Sequence, residues 1–242
     1  MDLYVGLGAL RGRIERYRFD LLELPVSPSL PKNKTLRTFR EAKPQLAFSL
    51  RLAPTFLEAP QLDEQQIARV NSAAEALGAR FVVLPTGPRF RPTTSNRKRL
   101  IEAASRLAAE GRRVAWEPRG LWEQEELEVW TEAAGAQIVR DLTRDAASSA
   151  DVEYTRLLPF GSGARVTQHS LERLALALQD KTAAYVVVVG EGVQGARSRL
   201  RQLLDVGAEL ESQLDDEYDD EFADGEQTDG EQGDDEQESD DE

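Results

Sequence analysis

Short apolar runs alternate along this chain with stretches whose apolar residues recur every three to four positions. The runs are Leu3–Leu7, Phe19–Val26, Gln45–Leu52, Arg80–Leu84, Arg113–Trp116, Ala136–Arg140, Tyr154–Leu158 and Ala184–Val189. Near-continuous apolar runs of this length, bounded by Gly, Pro and polar clusters, predict strands buried on both faces. Glu23 falls inside one such run, an unusual setting for a carboxylate without a partner.

The intervening stretches predict helices. Lys34–Ala42 carries Leu36 and Phe39 at helical spacing. Asp63 and Gln66 form a capping box ahead of Ile67, Val70, Ala74 and Leu77, with Gly78 as the closing residue. Thr94 or Ser95 is expected to cap a helix bearing Leu100, Ile101, Ala104, Leu107 and Ala108, which Gly111 ends. Glu123–Ala134 stops at Gly135, Ser170 is expected to cap a helix with Leu171, Leu174, Ala175 and Leu178, and Val193–Val206 closes the set. Two positions break the alternation. Arg11–Arg18, with Ile14 and Tyr17 as anchors, suits only a short turn, and Asp145–Asp151 is too small and polar for a helix.

Eight strands alternating with helices imply a parallel sheet covered on both faces. The expected fold is an α/β, compact (β/α)8 TIM-like barrel over residues 1–210, with helices shortened or missing after the first and sixth strands. A doubly wound open sheet is the alternative, since strand number alone does not prove closure.

Charge divides the chain in two. The formal net charge is −14, yet Glu211–Glu242 holds 18 acidic residues and no Lys or Arg. The remainder, with 26 acids against 30 bases, is mildly basic at +4. Residues 211–242 are expected to form a disordered acidic tail that solvates the protein or recruits basic partners. Cysteine is absent, which removes disulfides, thiolate catalysis and Cys-ligated zinc. The longest wholly apolar stretch, Ala183–Val189, is far short of the roughly 20 residues that span a bilayer, so no membrane partner is expected. The opening residues show no secretory signal pattern, and a cytoplasmic protein is the expectation.

Candidate chemistry gathers where the strands end. Glu23, Arg51, Glu117, Arg119 and Asp141 all fall at or near strand C-termini, the face on which barrels carry their sites. Close approach of the carboxylates Glu117, Glu23 and Asp141 would raise one pKa enough for acid/base work. Arg51 and Arg119 would pair with these acids or grip an anionic ligand. A purely structural ion-pair network is the competing reading. The three carboxylates suit a hard cation such as magnesium, whereas zinc or iron would want more than the single His169. Two glycine-rich turns follow the last strands: Gly161, Gly163 and Arg165 in one, Gly190, Gly192 and Arg197 in the other. Barrels commonly receive phosphate there. The loop Pro88–Arg99 holds five bases around Phe90, a composition suited to nucleic-acid phosphates and to stacking a base. The functional expectation is a barrel that binds a small anionic or phosphorylated ligand; if an enzyme, it is a phosphate-ester or nucleic-acid hydrolase. The competing class is a non-catalytic interaction protein with a degenerate pocket.

The order of these pieces resembles the YecE-like proteins, a barrel family whose domain is one of unknown function (number seventy-two). The resemblance runs through Gly6-Leu7-Gly8, Phe19-Asp20-Leu21-Leu22-Glu23-Leu24-Pro25, Thr35-Leu36-Arg37-Thr38-Phe39-Arg40, Leu46-Ala47-Phe48-Ser49-Leu50-Arg51, Ala115-Trp116-Glu117-Pro118-Arg119 and Asp141. It implies a TIM-like barrel with a pocket at the strand C-termini and supplies no settled reaction. Two departures stand out. The family's Arg-x-His-Gly after the seventh strand is replaced here by Arg156-Leu157-Leu158-Pro159-Phe160-Gly161, without His. Its Asn-Asn pair after the eighth is replaced by Val188-Val189-Gly190-Glu191-Gly192.

Overall fold

The apolar runs become eight strands: β1 (Asp2–Leu7), β2 (Leu21–Pro25), β3 (Ala47–Arg51), β4 (Ala79–Pro85), β5 (Arg113–Glu117), β6 (Gln137–Ile138), β7 (Val152–Leu157) and β8 (Ala183–Val188). The computed structural model describes residues 1–26, 30–59, 61–120, 122–158, 166–190 and 192–205. All pairings are parallel, in the order β6-β5-β4-β3-β2-β1-β8-β7. The two outer strands then meet through a parallel bridge between Arg140 and Thr155, where the Arg156 amide donates to the Arg140 carbonyl at 3.1 Å. The sheet is therefore a nearly closed barrel, and the open-sheet alternative is set aside.

Among the described residues six helices wrap it: α1 (Asn33–Ala42), α2 (Glu64–Leu77), α3 (Thr94–Leu107), α4 (Gln124–Ala133), α5 (Gln168–Leu178) and α6 (193–205). None of the described helices is long and apolar enough to cross a membrane. Asp63 caps α2 by accepting from the Gln65 and Gln66 amides, and Gly78 ends it at φ +67°, a left-handed conformation natural to glycine. Two caps differ from the sequence expectation. Thr93, not Thr94 or Ser95, accepts from the Asn96 amide, and Thr167 accepts from the Ser170 amide, which places Ser170 in the first turn of α5. In each case the hydroxyl three residues ahead of an exposed amide takes the capping role.

The two breaks in the alternation lie where the helical spacing fails. After β1 there is only the 3-10 turn Ile14–Arg16, with Ile14 and Tyr17 buried. Tyr17 replaces a helix as a fastener: its hydroxyl donates to the Leu21 carbonyl at 2.6 Å and accepts from the Leu7 amide at 2.9 Å. β1 and β2 lie so close that a Cβ on Gly6 would stand 1.5 Å from the Leu21 carbonyl oxygen. After β6 the chain runs through turns, without a helix, to β7.

Side chains alternate about the sheet, as the period of two requires. Those facing inward include Leu21, Ala47, Phe81, Val83, Ala115, Val139, Tyr154, Tyr185 and Val187. Tyr4 stacks on Tyr185 at 4.7 Å, and Phe81 tilts against both Tyr154 and Tyr185 at 4.9 Å. At the N-terminal end, a register shift opposite Phe48 and Ser49 inserts Arg80 as a bulge in β4. Its guanidinium donates to the Tyr4 and Tyr185 hydroxyls at 2.8 and 2.9 Å. Apolar packing and this arginine fill the lower barrel, which leaves the C-terminal mouth as the end where charge collects.

Candidate functional site at the barrel mouth

β2, β3, β5 and β7 each turn an ionisable or hydroxyl side chain inward in their last residues. Glu23 on β2 is wholly buried. Its Oε1 is ion-paired with Arg156 of β7, and its Oε2 accepts from the Tyr154 hydroxyl at 2.9 Å. Because that phenolic proton is spent on Glu23, Ser49 of β3 is the donor in its 2.8 Å bond to Tyr154. Glu117 ends β5 and is gripped from two sides. Arg51 Nε donates to Oε2 at 2.8 Å, and Arg119 donates to Oε1 at 3.2 Å. Arg156 joins the halves, since its Nε stands 3.6 Å from Glu117 Oε2 while its terminal nitrogen holds Glu23. The strand end carrying Glu117 is pinned in turn: its carbonyl accepts from the Thr86 amide at 2.9 Å, and Trp116 Nε1 donates to the Thr86 hydroxyl at 3.1 Å.

The two glutamates are driven apart electrostatically. Burial raises the Glu23 pKa, and the opposing field and hydrogen bond of Arg156 do not fully offset it. Burial also works to raise Glu117. There the Arg51 hydrogen bond and the charges of Arg156, Arg51 and Arg119 outweigh it, so Glu117 is held below its ordinary range and ionised. Tyr154 is pushed well up by burial and by the adjacent Glu23 charge, and it stays a hydrogen-bond donor.

Of the residues expected to converge, the structure brings together Glu23, Arg51, Glu117 and Arg119. Asp141 is used locally instead. Its Oδ1 accepts from the Thr143 amide and hydroxyl at 3.1 and 2.6 Å, and its Oδ2 accepts from the Leu158 amide at 3.1 Å. An Asp followed two residues later by a hydrogen-bond donor forms a turn of its own, and among the described residues Asp141 shares no hydrogen bond or ion pair with Glu23, Glu117 or Arg156. Arg156 stands between the two glutamates where a shared cation would sit, and among the described residues no group of three Asp, Glu, His or Cys side chains is arranged to hold a metal ion. His169 lies exposed in the first turn of α5.

Gly161, Gly163 and Arg165 lie outside the described residues. Gly190 and Gly192 take positive φ values of 111° and 87° in the turn ahead of α6. Arg197, expected in that turn, lies within α6 and is engaged by both carboxylate oxygens of Asp20 at 2.8 and 2.7 Å, so it brings no free charge to an anion there. Phe90 is buried against Trp122 and Trp130 at 6.4 and 6.5 Å, and its ring is not presented for stacking on a base. The members of this cluster absent from the expected site are Arg156, Tyr154 and Ser49. The signal was present: Val152, Tyr154 and Arg156 occupy alternate positions on β7, so a barrel that turns Tyr154 inward turns Arg156 inward at the mouth.

No family model matches the sequence, and no curated protein matches it. Solved structures do match. A DUF72 family protein from Thermotoga maritima superposes with a TM-score of 0.66 at 13% identity, covering 85% of this chain and 99% of the other. A DUF72 family protein from Enterococcus faecalis gives 0.63 at 11%, covering 85% and 97%. The fold is that of the DUF72 proteins. It agrees with the resemblance carried by the sequence pieces from Gly6 to Asp141. D-psicose 3-epimerase from Clostridium cellulolyticum gives 0.53 at 12%, covering 77% and 89%. A xylose isomerase domain containing protein from Salmonella typhimurium gives 0.53 at 13%, covering 80% and 89%. At these identities the likeness establishes the fold, and the mouth is read from this chain's own residues.

Proposed function

We propose that the barrel mouth binds a small anionic ligand, with a sugar phosphate or sugar acid as the class to test first. The observation that carries this reading is a charge imbalance. Three guanidinium groups, Arg51, Arg119 and Arg156, face two carboxylates, Glu23 and Glu117, that are already saturated with donors. Arg156 Nε is buried without a hydrogen-bond acceptor and adds charge, while the Arg119 side chain, 49% exposed, is the donor a ligand can reach. A monoanion would neutralise the excess positive charge and take hydrogen bonds that no protein acceptor supplies. The fold neighbours named for sugar epimerisation and isomerisation favour a hydroxylated ligand.

In the catalytic form of this proposal Glu117, ionised and next to the most exposed arginine, accepts the proton, and Glu23 supports it through Arg156. Asp141 contributes by fastening the turn after β6 to Leu158 at the end of β7. The reaction class remains hydrolysis of a phosphate ester or nucleic acid, in a cytoplasmic setting. The competing proposal, a non-catalytic protein whose mouth is only an ion-pair plug, rests on the same saturation of both glutamates.

Thermal shift separates them. Inorganic phosphate, sugar phosphates, sugar acids, nucleotides and divalent ions would be screened against the full chain. A true ligand at a hundred times its Kd stabilises by about 2.7 kcal/mol. At ~2–4 °C per kcal/mol for a chain of this size, that reads as a rise of several degrees. Arg119→Ala should abolish the rise. A flat screen, or a rise that Arg119→Ala leaves intact, would sink the ligand reading.

A further inference from the structure

Beyond the mouth, the segment after β4 carries cations that no acid neutralises among the described residues. Arg89, Arg91 and Lys98 are exposed and Arg97 is half-buried, and among the described residues none has an acidic side chain within ion-pair distance. The acid nearest in the chain, Glu102, is paired with Arg106 at 3.5 Å. Glu58 lies against Gly87, and Glu123, Glu125 and Glu126 surround the start of α4.

Two features set this group apart from ordinary solvated surface charge. The first is rigidity. Phe90 is anchored between Trp122 and Trp130, and its amide donates to the Gly87 carbonyl at 3.0 Å. The Arg91 carbonyl accepts from the Thr93 amide and from Asn96 Nδ2, both at 2.8 Å. Arg89 and Arg91 therefore leave a fixed backbone on either side of a buried ring. The second is placement against the local field. α3 has no acid in its first turn, which Arg97 closes with Lys98 just beyond it, near the end where the helix dipole disfavours positive charge. Cations held in an unfavourable field on a rigid loop are suited to an external anion. Gly120 packs on Pro88, with a Cβ at Gly120 falling 3.5 Å from Pro88 Cα, so Arg119 and Arg89 flank a direct backbone contact. The band thus continues from the rim of the mouth.

We propose that Arg119, Arg89, Arg91, Arg97 and Lys98 form a docking surface for the phosphate backbone of single-stranded nucleic acid, read by charge alone. With Phe90 buried there is no stacking platform on this loop, so the surface discriminates little between base sequences.

The test is fluorescence anisotropy of the full-length chain with labelled uridine and mixed-sequence RNA 16-mers across a salt series. Neutralising four phosphates on a single strand gives a slope of about −2.8 in log affinity against log salt, which is roughly 50-fold between 50 and 200 mM. Arg89→Ala/Arg91→Ala should flatten the slope by about 1.4, equally for both RNAs. The same variant should keep any thermal shift from a small anion at the mouth, so the two proposals fail independently. No anisotropy change at 25 mM salt would overturn the proposal. So would binding that the double variant leaves unchanged, or polyglutamate displacing the RNA at equal charge concentration, which would assign the surface to acidic protein segments.

Discussion

Arg156→Met is the sharpest perturbation of this mouth. The substitution keeps the length and apolar stem of the side chain and removes the charge between Glu23 and Glu117. Glu117 keeps Arg51 and Arg119, so its loss is small. Glu23 keeps the Tyr154 hydroxyl and the field of Arg51, with no water access, since it is wholly buried. Breaking a buried pair and leaving one charge behind typically costs about 3–5 kcal/mol. For a chain of this size that lowers Tm by roughly 6–20 °C. The deficit should depend on pH with a definite sign. Burial already raises Glu23, and removal of Arg156, which lowers it, raises it further. A carboxyl with a raised folded-state pKa favours the folded state most below its unfolded value of about 4.3, and that advantage is lost as pH rises through the folded pKa. Urea unfolding followed by circular dichroism should therefore show a larger deficit at pH 7.5 than at pH 5. Adding Glu23→Gln should recover at least half of it at pH 7.5. A deficit under about 1 kcal/mol, equal at both pH values and additive with Glu23→Gln, would refute the buried pair.

Further substitutions separate the other contributions. Glu117 is held low, so its stabilisation is present above about pH 4.3 and lost as pH falls. Glu117→Gln should cost about 2–3 kcal/mol at pH 7 and flatten the acid limb of Tm against pH; parallel curves for the two proteins would count against it. Gly6→Ala meets the Leu21 carbonyl and should yield little soluble protein, whereas Gly195→Ala, in α6 with nothing within 4 Å of its Cβ, should gain about 1 kcal/mol. Equal yields and Tm values for the two would deny the close approach of β1 and β2. Phe90→Ala should cost about 3–5 kcal/mol and red-shift tryptophan emission as Trp122 and Trp130 become wetter; an unshifted spectrum would place Phe90 outside that cluster.

The strands were legible because buried parallel strands leave unbroken apolar runs, and the missing helices were legible for the opposite reason. Arg11–Arg18 and Asp145–Asp151 have no helical stripe to bury, and both became turns. Cap positions slipped because adjacent hydroxyls in Thr93-Thr94-Ser95 offer equal chemistry, and only the backbone decides which one faces an amide. Glu23 stood out as a carboxylate in an apolar run, but its partner lies 133 residues away and no local pattern connects them. Asp141 was misleading for the converse reason. Its position at a strand end fits a site, while Thr143 two residues on supplies a nearer partner. Phe90 among bases looked exposed, and only the packing of Trp122 and Trp130 shows otherwise.

The mouth and the closure of the barrel are one problem. β7 pairs with β8 along its whole length, but its other edge reaches β6 mainly through Arg140 and Thr155. There the Thr155 hydroxyl donates to the Arg140 carbonyl at 2.8 Å and accepts from the Leu142 amide at 3.3 Å, and the Gln137 side chain reaches the Val152 carbonyl. Arg156, the next residue, ties β7 across the mouth to Glu23 on β2 and Glu117 on β5. That is a structural task, and it accounts for two guanidinium contacts and both glutamates without any ligand. It does not account for Arg119, which lies beyond the end of β5, half exposed, and reinforces a carboxylate that Arg51 already holds. A plug would lose little without it, whereas an anion site would lose its most accessible donor. The two arginines therefore divide the readings: Arg156 should govern stability with or without ligand, and Arg119 should govern ligand response with little effect on stability.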